Sequence, residues 1–456
     1  MFFLLGARPA STAIFSTIIT NGPATNRINL VLFSEGYTNG QLGQFLMDAT
    51  NSANSFLSVE PYAEYTNYFN VFAIFTNSAH SGSTHLSYPM IYSNGYTCFN
   101  STYDGSSDYI ITIPPNPSDS TNSHGQGKID SLLQTYLPNT NNDLPALLVN
   151  DPTPGGSDNY GATAIASTSW VSYILVHESG HTLGGLGDEY TTPYPGFPEI
   201  EQPNTTTNTV YTNIQWNAWI PTNTPIPTPP TGTYQYTVGV FQGAHYNTNG
   251  WYRPAYDCCM RSFGSVNFCP VCQEALVLAI YGKARPLDAH SPTTNSLTVT
   301  SAQMLSFNLN LLQPATHSLN VQWRTNNLTV GGATNPVFNI WPSQLGSGSQ
   351  KVEADVWDAT AMVRTDLKNA LKQTNVWTLS VTLPVMQINS VKWQTNGSFT
   401  LQVTGAAPDG VAIQMSTNLL QWVNMQTNFF SSGKLGYTNS GANAFPKRFF
   451  RAITPP

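Results

Sequence analysis

The chain has 456 residues, more than one ordinary core holds, so two or three domains are expected. Only 9% of residues are charged, the net charge is −7, and Lys and Arg form no cluster, which excludes nucleic acid and anionic membrane as electrostatic partners. Hydrophobic residues at 40% and aromatics at 12% exclude a disordered chain, and no apolar run reaches the ~18–20 residues needed to span a bilayer.

Residues 1–26 form an N-terminal segment. It opens on Met1-Phe-Phe-Leu-Leu-Gly6 with no basic residue ahead of the apolar stretch, a poor signal peptide. Residues 27–285 read as one mixed α/β domain. Arg27–Phe33 is a strand, Asn39–Leu57 a helix with Leu42, Phe45, Leu46, Ala49, Ala53 and Phe56 at helical spacing, and Phe69–Phe75 a second strand. Strand, helix and strand in that order imply a crossover and a partly parallel sheet. A helix over Ile129–Leu137, strands at Leu144–Val149 and Ala162–Ala166, and a helix over Ser167–Leu183 follow. Residues 191–250 are rich in Pro, Thr and Asn and aperiodic, an irregular excursion. A last helix starts at Pro270 or Val271 and runs to Tyr281.

After Pro286 the pattern changes to period two, as in Leu305-Ser-Phe-Asn-Leu-Asn-Leu311 and Trp377-Thr-Leu-Ser-Val-Thr-Leu383. This predicts an Ig-like β-sandwich over 286–386 and a small β module over 387–456. The fold class is therefore α/β with a mixed sheet, followed by two small all-β units.

Chemistry concentrates in His177-Glu178-Ser179-Gly180-His181. Residues four apart share one helix face, so both imidazoles can reach one Zn2+ ion. Zinc at a catalytic site takes a third protein ligand and leaves a position for water. Glu178 points about 100° away around the helix, placed to take a proton from that water. Gly184-Gly-Leu-Gly187 should end the helix and turn Asp188-Glu189-Tyr190 back toward the metal. Asp188 is the third ligand by this reading, and Glu189, one residue on, is its rival.

Four of the five cysteines, Cys258, Cys259, Cys269 and Cys272, lie within fifteen residues. In a chain poor in charge and rich in Asn and Thr, they read as disulfides of an oxidising compartment, with a zinc knot on Cys269-Pro-Val-Cys272 as the rival. Cys98 is left over as a free thiol.

Val176–Tyr190 resembles the IgA-peptidase-like zinc metallopeptidases. Asn29–Tyr37 resembles the first strand of that family, with Ser34-Glu35 where the family usually has Gly-Asp. Leu147–Asn150 with Tyr160-Gly161 resembles its strand before the catalytic helix, and Cys259-Met-Arg261 through Phe268-Cys-Pro-Val-Cys272 resembles its cysteine-rich turn. The resemblance covers roughly residues 27–285. It implies a metzincin-type fold in which a methionine turn, here Met260, underlies the zinc site. One departure stands out: metzincins place the third ligand six residues after the second His, which here is Gly187.

These readings converge on a secreted bacterial zinc endopeptidase, extracellular or at the cell surface, acting on a protein or glycoprotein. Tyr190, His245 and Arg261 are candidates to steady the developing oxyanion. Asp151–Asp158 reads as a plain loop, with a Ca2+ site as the lesser reading. The C-terminal module, with Ile413–Trp422 and Pro446–Pro456, resembles modules that attach secreted proteins to cell surfaces or polysaccharides; a plain spacer is the equal reading. Two other functions compete: a non-catalytic adhesin or glycan-binding protein on a peptidase-like fold, and a zinc hydrolase of a non-peptide amide. Intact His177, Glu178 and His181 rank the first of these below the enzyme.

Overall fold

A computed structural model describes residues 13–85, 97–103, 110–114, 125–159, 162–166, 171–262, 265, 267–300, 303–382, 385–405, 410–430, 433–440 and 447–453. Met1–Thr12, Tyr160 and Gly161, Ser167–Trp170 and Pro446 with Thr454–Pro456 lie outside the described residues. The chain divides into two compact units.

The first unit is built on a six-stranded sheet. Its strands are β1 (Ile14–Ile19), β2 (Ile28–Glu35), β3 (Phe69–Phe75), three two-residue strands that pair apart from it, β4 (Thr84–His85), β5 (Thr102–Tyr103) and β6 (Ile111–Thr112), then β7 (Asp143–Val149), β8 (Gly156–Asn159) and β9 (Ala162–Ala166). The order across the sheet is β1-β3-β2-β7-β9-β8. The four central strands are parallel, and β1 and β8 run antiparallel at the two edges. Both edge strands depart from the sequence reading, which left Ile14–Ile19 in an N-terminal segment and Gly156–Asn159 in a loop.

Every residue of β2 is buried. Alternate side chains serve two cores: Ile28, Leu30 and Leu32 pack into one, Val31 and Phe33 into the other. That two-sided burial is what a central parallel strand requires. Helix α1 (Leu42–Phe56) buries Phe45, Ala49, Ala53 and Phe56 in the first core, as its spacing predicts. Helix α2 (Gly125–Tyr136) covers the opposite face through Ile129. Helices α3 (Val171–Gly184) and α4 (Pro270–Lys283) join α1 in the first core. Tyr173 through Gly180 of α3 are all buried, so this helix is a core helix and not an amphipathic one.

The excursion at 191–250 is not wholly irregular. It ends in a hairpin of β10 (Phe241–Ala244) and β11 (Asn247–Arg253), in which Ala244 faces Asn247 across the two-residue turn His245-Tyr246. Both turn residues have positive φ, 53° and 61°. That is the geometry whose twist matches the flanking strands of a tight hairpin.

Leu312–Ser318 and Ala359–Leu371, which the sequence pattern assigns to the sandwich at 286–386, cluster with the first unit. The Glu64 carboxylate shows why. It accepts from the Thr316 amide at 3.0 Å and from the Thr316 hydroxyl, and pairs with His317 Nδ1 at 2.7 Å.

The second unit is built of β-sheets, with one short helix at Pro342–Leu345 among its described residues. A three-stranded sheet of Leu287–Ser291, Leu305–Leu311 and Val337–Ile340 and a five-stranded sheet centred on Gly348–Trp357 and Lys372–Val381 share one core. Trp323 and Trp377 stack there with centroids 5.7 Å apart. Two further three-stranded sheets, formed from strands between Gln387 and Ile453, enclose a separate small core around Phe399, Val403, Ile413 and Tyr437.

Candidate metal centre

Helix α3 carries His177 and His181 one turn apart and stops at Gly184. Gly185 takes φ +61°, and the Leu186 amide bonds back to the Gly180 carbonyl at 3.0 Å. A left-handed residue at this point reverses the chain, and glycine adopts it without a Cβ penalty. Asn204, fully buried, secures the returning loop: its Oδ1 accepts from the Gly187 amide at 2.7 Å and its Nδ2 donates to the Gly187 carbonyl at 2.8 Å. The reversal sets Asp188 against both imidazoles.

The resulting triangle is nearly equilateral. His177 Nε2 lies 3.3 Å from His181 Nε2, and Asp188 Oδ1 lies 3.2 Å from the first and 3.4 Å from the second. Bonds of ~2.0–2.2 Å from a tetrahedral zinc would separate such donors by about 3.3–3.5 Å. Asp188 Oδ1 is buried and has no hydrogen-bond partner, while Oδ2 accepts from the Tyr246 hydroxyl. The donor set, its spacing and the orphaned oxygen all fit a divalent cation of the zinc type.

Each imidazole is oriented from behind. His177 Nδ1 sits 3.0 Å from the Cys259 carbonyl and His181 Nδ1 2.7 Å from the Leu186 carbonyl, so both Nε2 atoms turn toward Asp188. The fields are those of a site for positive charge. Burial alone would push His181 down, but the Asp188 carboxylate overrides it and lifts the imidazole to about 10. Burial would raise Asp188, but the charges of His181 and His177 beside it hold it well below the usual carboxylate range. Glu178 lies beside them, its carboxyl raised by burial against the pull of the two imidazoles.

Glu189 does not share this site. Its side chain turns to the opposite side, where Oε1 accepts from Asn204 Nδ2 at 3.0 Å and lies 3.9 Å from Cys272 Sγ. Two groups of donors therefore form side by side, one of His177, His181 and Asp188 and one of Glu189, Cys258, Cys269 and Cys272.

The disulfides expected among Cys258, Cys259, Cys269 and Cys272 are absent, and all four are buried thiols, as is Cys98. Cys272 Sγ stands 3.8 Å from Cys258 Sγ and 3.6 Å from Cys269 Sγ, far beyond the ~2.05 Å of a covalent S–S bond. Cys259 is outside that cluster; its carbonyl serves His177 and also accepts from the Tyr173 hydroxyl at 2.8 Å.

Met260, fully buried, lies against α3. A Cβ added at Gly180 would stand 2.7 Å from its sulfur, so glycine inside the motif is what admits the methionine. The Met260 carbonyl in turn accepts from the Glu189 amide at 2.8 Å.

The three oxyanion candidates separate. The Tyr190 hydroxyl reaches to 3.2 Å from His177 Nε2, and burial pushes its ionisation far up, so it stays a proton donor. His245 bonds the Pro198 carbonyl at 2.8 Å and stacks on Trp251, and Arg261 donates to the Tyr256 carbonyl; both hold loops in place. Tyr246, which the sequence did not single out, sits at the site instead. The Asp151 carboxylate accepts from the amides of Ser83 and Thr153 and meets His85 Nε2 at 3.0 Å, contacts that suit the plain-loop reading.

The chain matches the sequence profile of IgA Peptidase M64 over residues 17–237 and 230–280, more than half its length. No curated protein matches it. Among solved structures, apo Bacteroides uniformis beta-glucuronidase 3 is similar at 9% identity over 40% of this chain and 26% of its own, with a TM-score of 0.15. A chaperone–tip adhesin complex of CFA/I fimbriae biogenesis is similar at 8% identity over 35% of this chain and 89% of its own, also with a TM-score of 0.15. The chain thus spans about a quarter of the first, and at these scores neither carries an argument. With the profile extending across the sheet, α3 and the turn beneath it, the chain belongs to the IgA peptidase M64 family of metallopeptidases.

Proposed function

We propose that this chain is a zinc-dependent endopeptidase in which His177, His181 and Asp188 hold the ion and Glu178 is the general base. The observation that carries the reading is the triangle of Nε2, Nε2 and Oδ1 atoms with edges of 3.2–3.4 Å. Zinc held there would supply Lewis acidity and lower the pKa of a bound water.

The chain's own groups do the rest. Glu178, its pKa raised by burial, takes a proton from the attacking water and passes it to the leaving amine. The Tyr190 hydroxyl donates to the oxygen that gains charge as the carbonyl is attacked. Strand β8 ends the order of the six-stranded sheet and packs beside α3, and among the described residues no further strand of that sheet pairs with it, a template for an extended substrate backbone. The low charge and the Asn- and Thr-rich composition suit an extracellular setting.

The test is metal content and casein cleavage for the wild type and Glu178→Ala side by side. Zinc bound in both with cleavage only by the wild type supports the reading. Loss of the ion in neither but cleavage in both removes Glu178 from its role, and a wild type without zinc removes the site.

A further inference from the structure

We propose that Cys258, Cys269, Cys272 and Glu189 form a second, structural metal site for a thiophilic divalent cation of the zinc type. The four side chains offer donor atoms that all lie within 4.8 Å of one another, and all four residues are buried. A zinc with ~2.3 Å bonds to sulfur would separate two thiolates by about 3.8 Å. Cys272 Sγ lies 3.8 Å from Cys258 Sγ and 3.6 Å from Cys269 Sγ.

Glu189 supplies an independent indication. It is fully buried, Oε1 is 3.9 Å from Cys272 Sγ, and Oε2 has no hydrogen-bond partner among the described residues. A carboxylate buried among thiols with an oxygen unsatisfied is costly unless a cation meets it. The local backbone is arranged for thiolates. Cys269 caps α4 and Cys272 lies in its first turn, where the positive end of the helix favours a deprotonated sulfur. The Cys269 amide donates to Cys258 Sγ at 3.3 Å. A disulfide within this cluster would leave the third thiol beside a buried carboxylate with an unsatisfied oxygen, whereas three thiolates and one carboxylate supply the four donors of a tetrahedral site.

Such an ion would join three segments: the turn at Cys258–Met260, the start of α4, and the loop that bears Asp188 and Glu189. The turn carries the carbonyl that orients His177, and Glu189 is the neighbour of Asp188. The site would thus brace both sides of the candidate catalytic triangle without contributing a ligand to it.

The test uses the full chain, purified under reducing conditions after production with cobalt as the added metal. Metal content per chain and thiolate-to-cobalt charge-transfer absorption are read for the wild type and for a His177→Ala/His181→Ala variant. The expected result is two ions per wild-type chain with the charge-transfer band, and one ion with the band retained in the variant. Cys269→Ser/Cys272→Ser should lose the band. A wild type with one ion and the band supports this site while sinking the catalytic one. A wild type without the band, or peptide mapping of the unreduced protein that finds any two of the three sulfurs in a disulfide, overturns the proposal.

Discussion

The hydroxyl of Tyr246 donates to Oδ2 of Asp188, from the second residue of a tight hairpin turn to the carboxylate beside two histidines. Two backbone bonds fix the approach: the His245 amide to the Asp188 carbonyl at 2.9 Å and the Tyr246 amide to the Tyr190 carbonyl at 2.8 Å. With Oδ2 engaged, only Oδ1 is presented to the histidines. Removing the hydroxyl with Tyr246→Phe should weaken zinc binding by ~10–100-fold, the usual scale for loss of a group that orients a ligand. Competition against a chelator measures it; an unchanged affinity would reduce Tyr246 to packing.

Asp188→Ala and Glu178→Gln should fail differently. The first removes a ligand atom and should empty the triangle. The second keeps the ligands and should leave metal content intact while cleavage falls by ~10²–10⁴-fold, the range for loss of a general base. Metal analysis and peptide hydrolysis on the same preparations separate the two, and equal metal loss in both would contradict the assignment of Glu178.

Met260 is a matter of packing. Its sulfur fills the space against Gly180 beneath α3, so Met260→Ala leaves a cavity. The expected cost is ~2–5 kcal/mol of stability, the range for truncating a buried methionine. Denaturant unfolding checks it. Zinc content at the triangle should survive, because Met260 is absent from both donor groups.

The clasp on Glu64 should open in acid. Burial raises the carboxyl, but the hydroxyl and amide of Thr316 and the charge of His317 outweigh it, and the net shift is downward. A carboxyl lowered in the folded state contributes stability above its unfolded value near 4.5 and loses it as pH falls through the lower folded value. Amide exchange in Leu312–Ser318 should therefore be slow above about pH 4.5 and quicken below it. Glu64→Gln should exchange fast in this segment at every pH, and equal protection in wild type and variant would refute the clasp.

The sequence made parts of the site readable and hid others for physical reasons. His177, Glu178 and His181 were legible because helical spacing alone brings i and i+4 together. The choice between Asp188 and Glu189 was not, because one residue decides which side chain faces which way after a glycine turn. The direction depends on Gly185 at φ +61° and on Asn204, seventeen residues beyond Gly187. Strand β8, Gly-Ser-Asp-Asn, has no apolar alternation to betray it, being a four-residue edge. Tyr246 lies in a turn without the Asn-Gly or Asp-Gly signature of a tight hairpin. The spacing of the cysteines suits a disulfide or a metal equally. The proposed metal site rests instead on where Glu189 and the three sulfurs lie in space.

Leu312–Ser318 and Ala359–Leu371 lie in chain order between strands of the β-sheet unit, yet they complete the first. Beyond the Glu64 clasp, the Tyr68 hydroxyl donates to the Leu312 carbonyl at 2.8 Å, and Arg364 lies over the Trp219 ring at 4.1 Å while its amide donates to Glu274 at 3.0 Å. A cut after Arg285 would divide the sequence but not the fold. For a gene, this means the first unit cannot be shuffled as a free-standing cassette. Recombination that exchanged the following strands would have to carry both loops along or leave the buried Glu64 carboxylate and Tyr68 ring open to water.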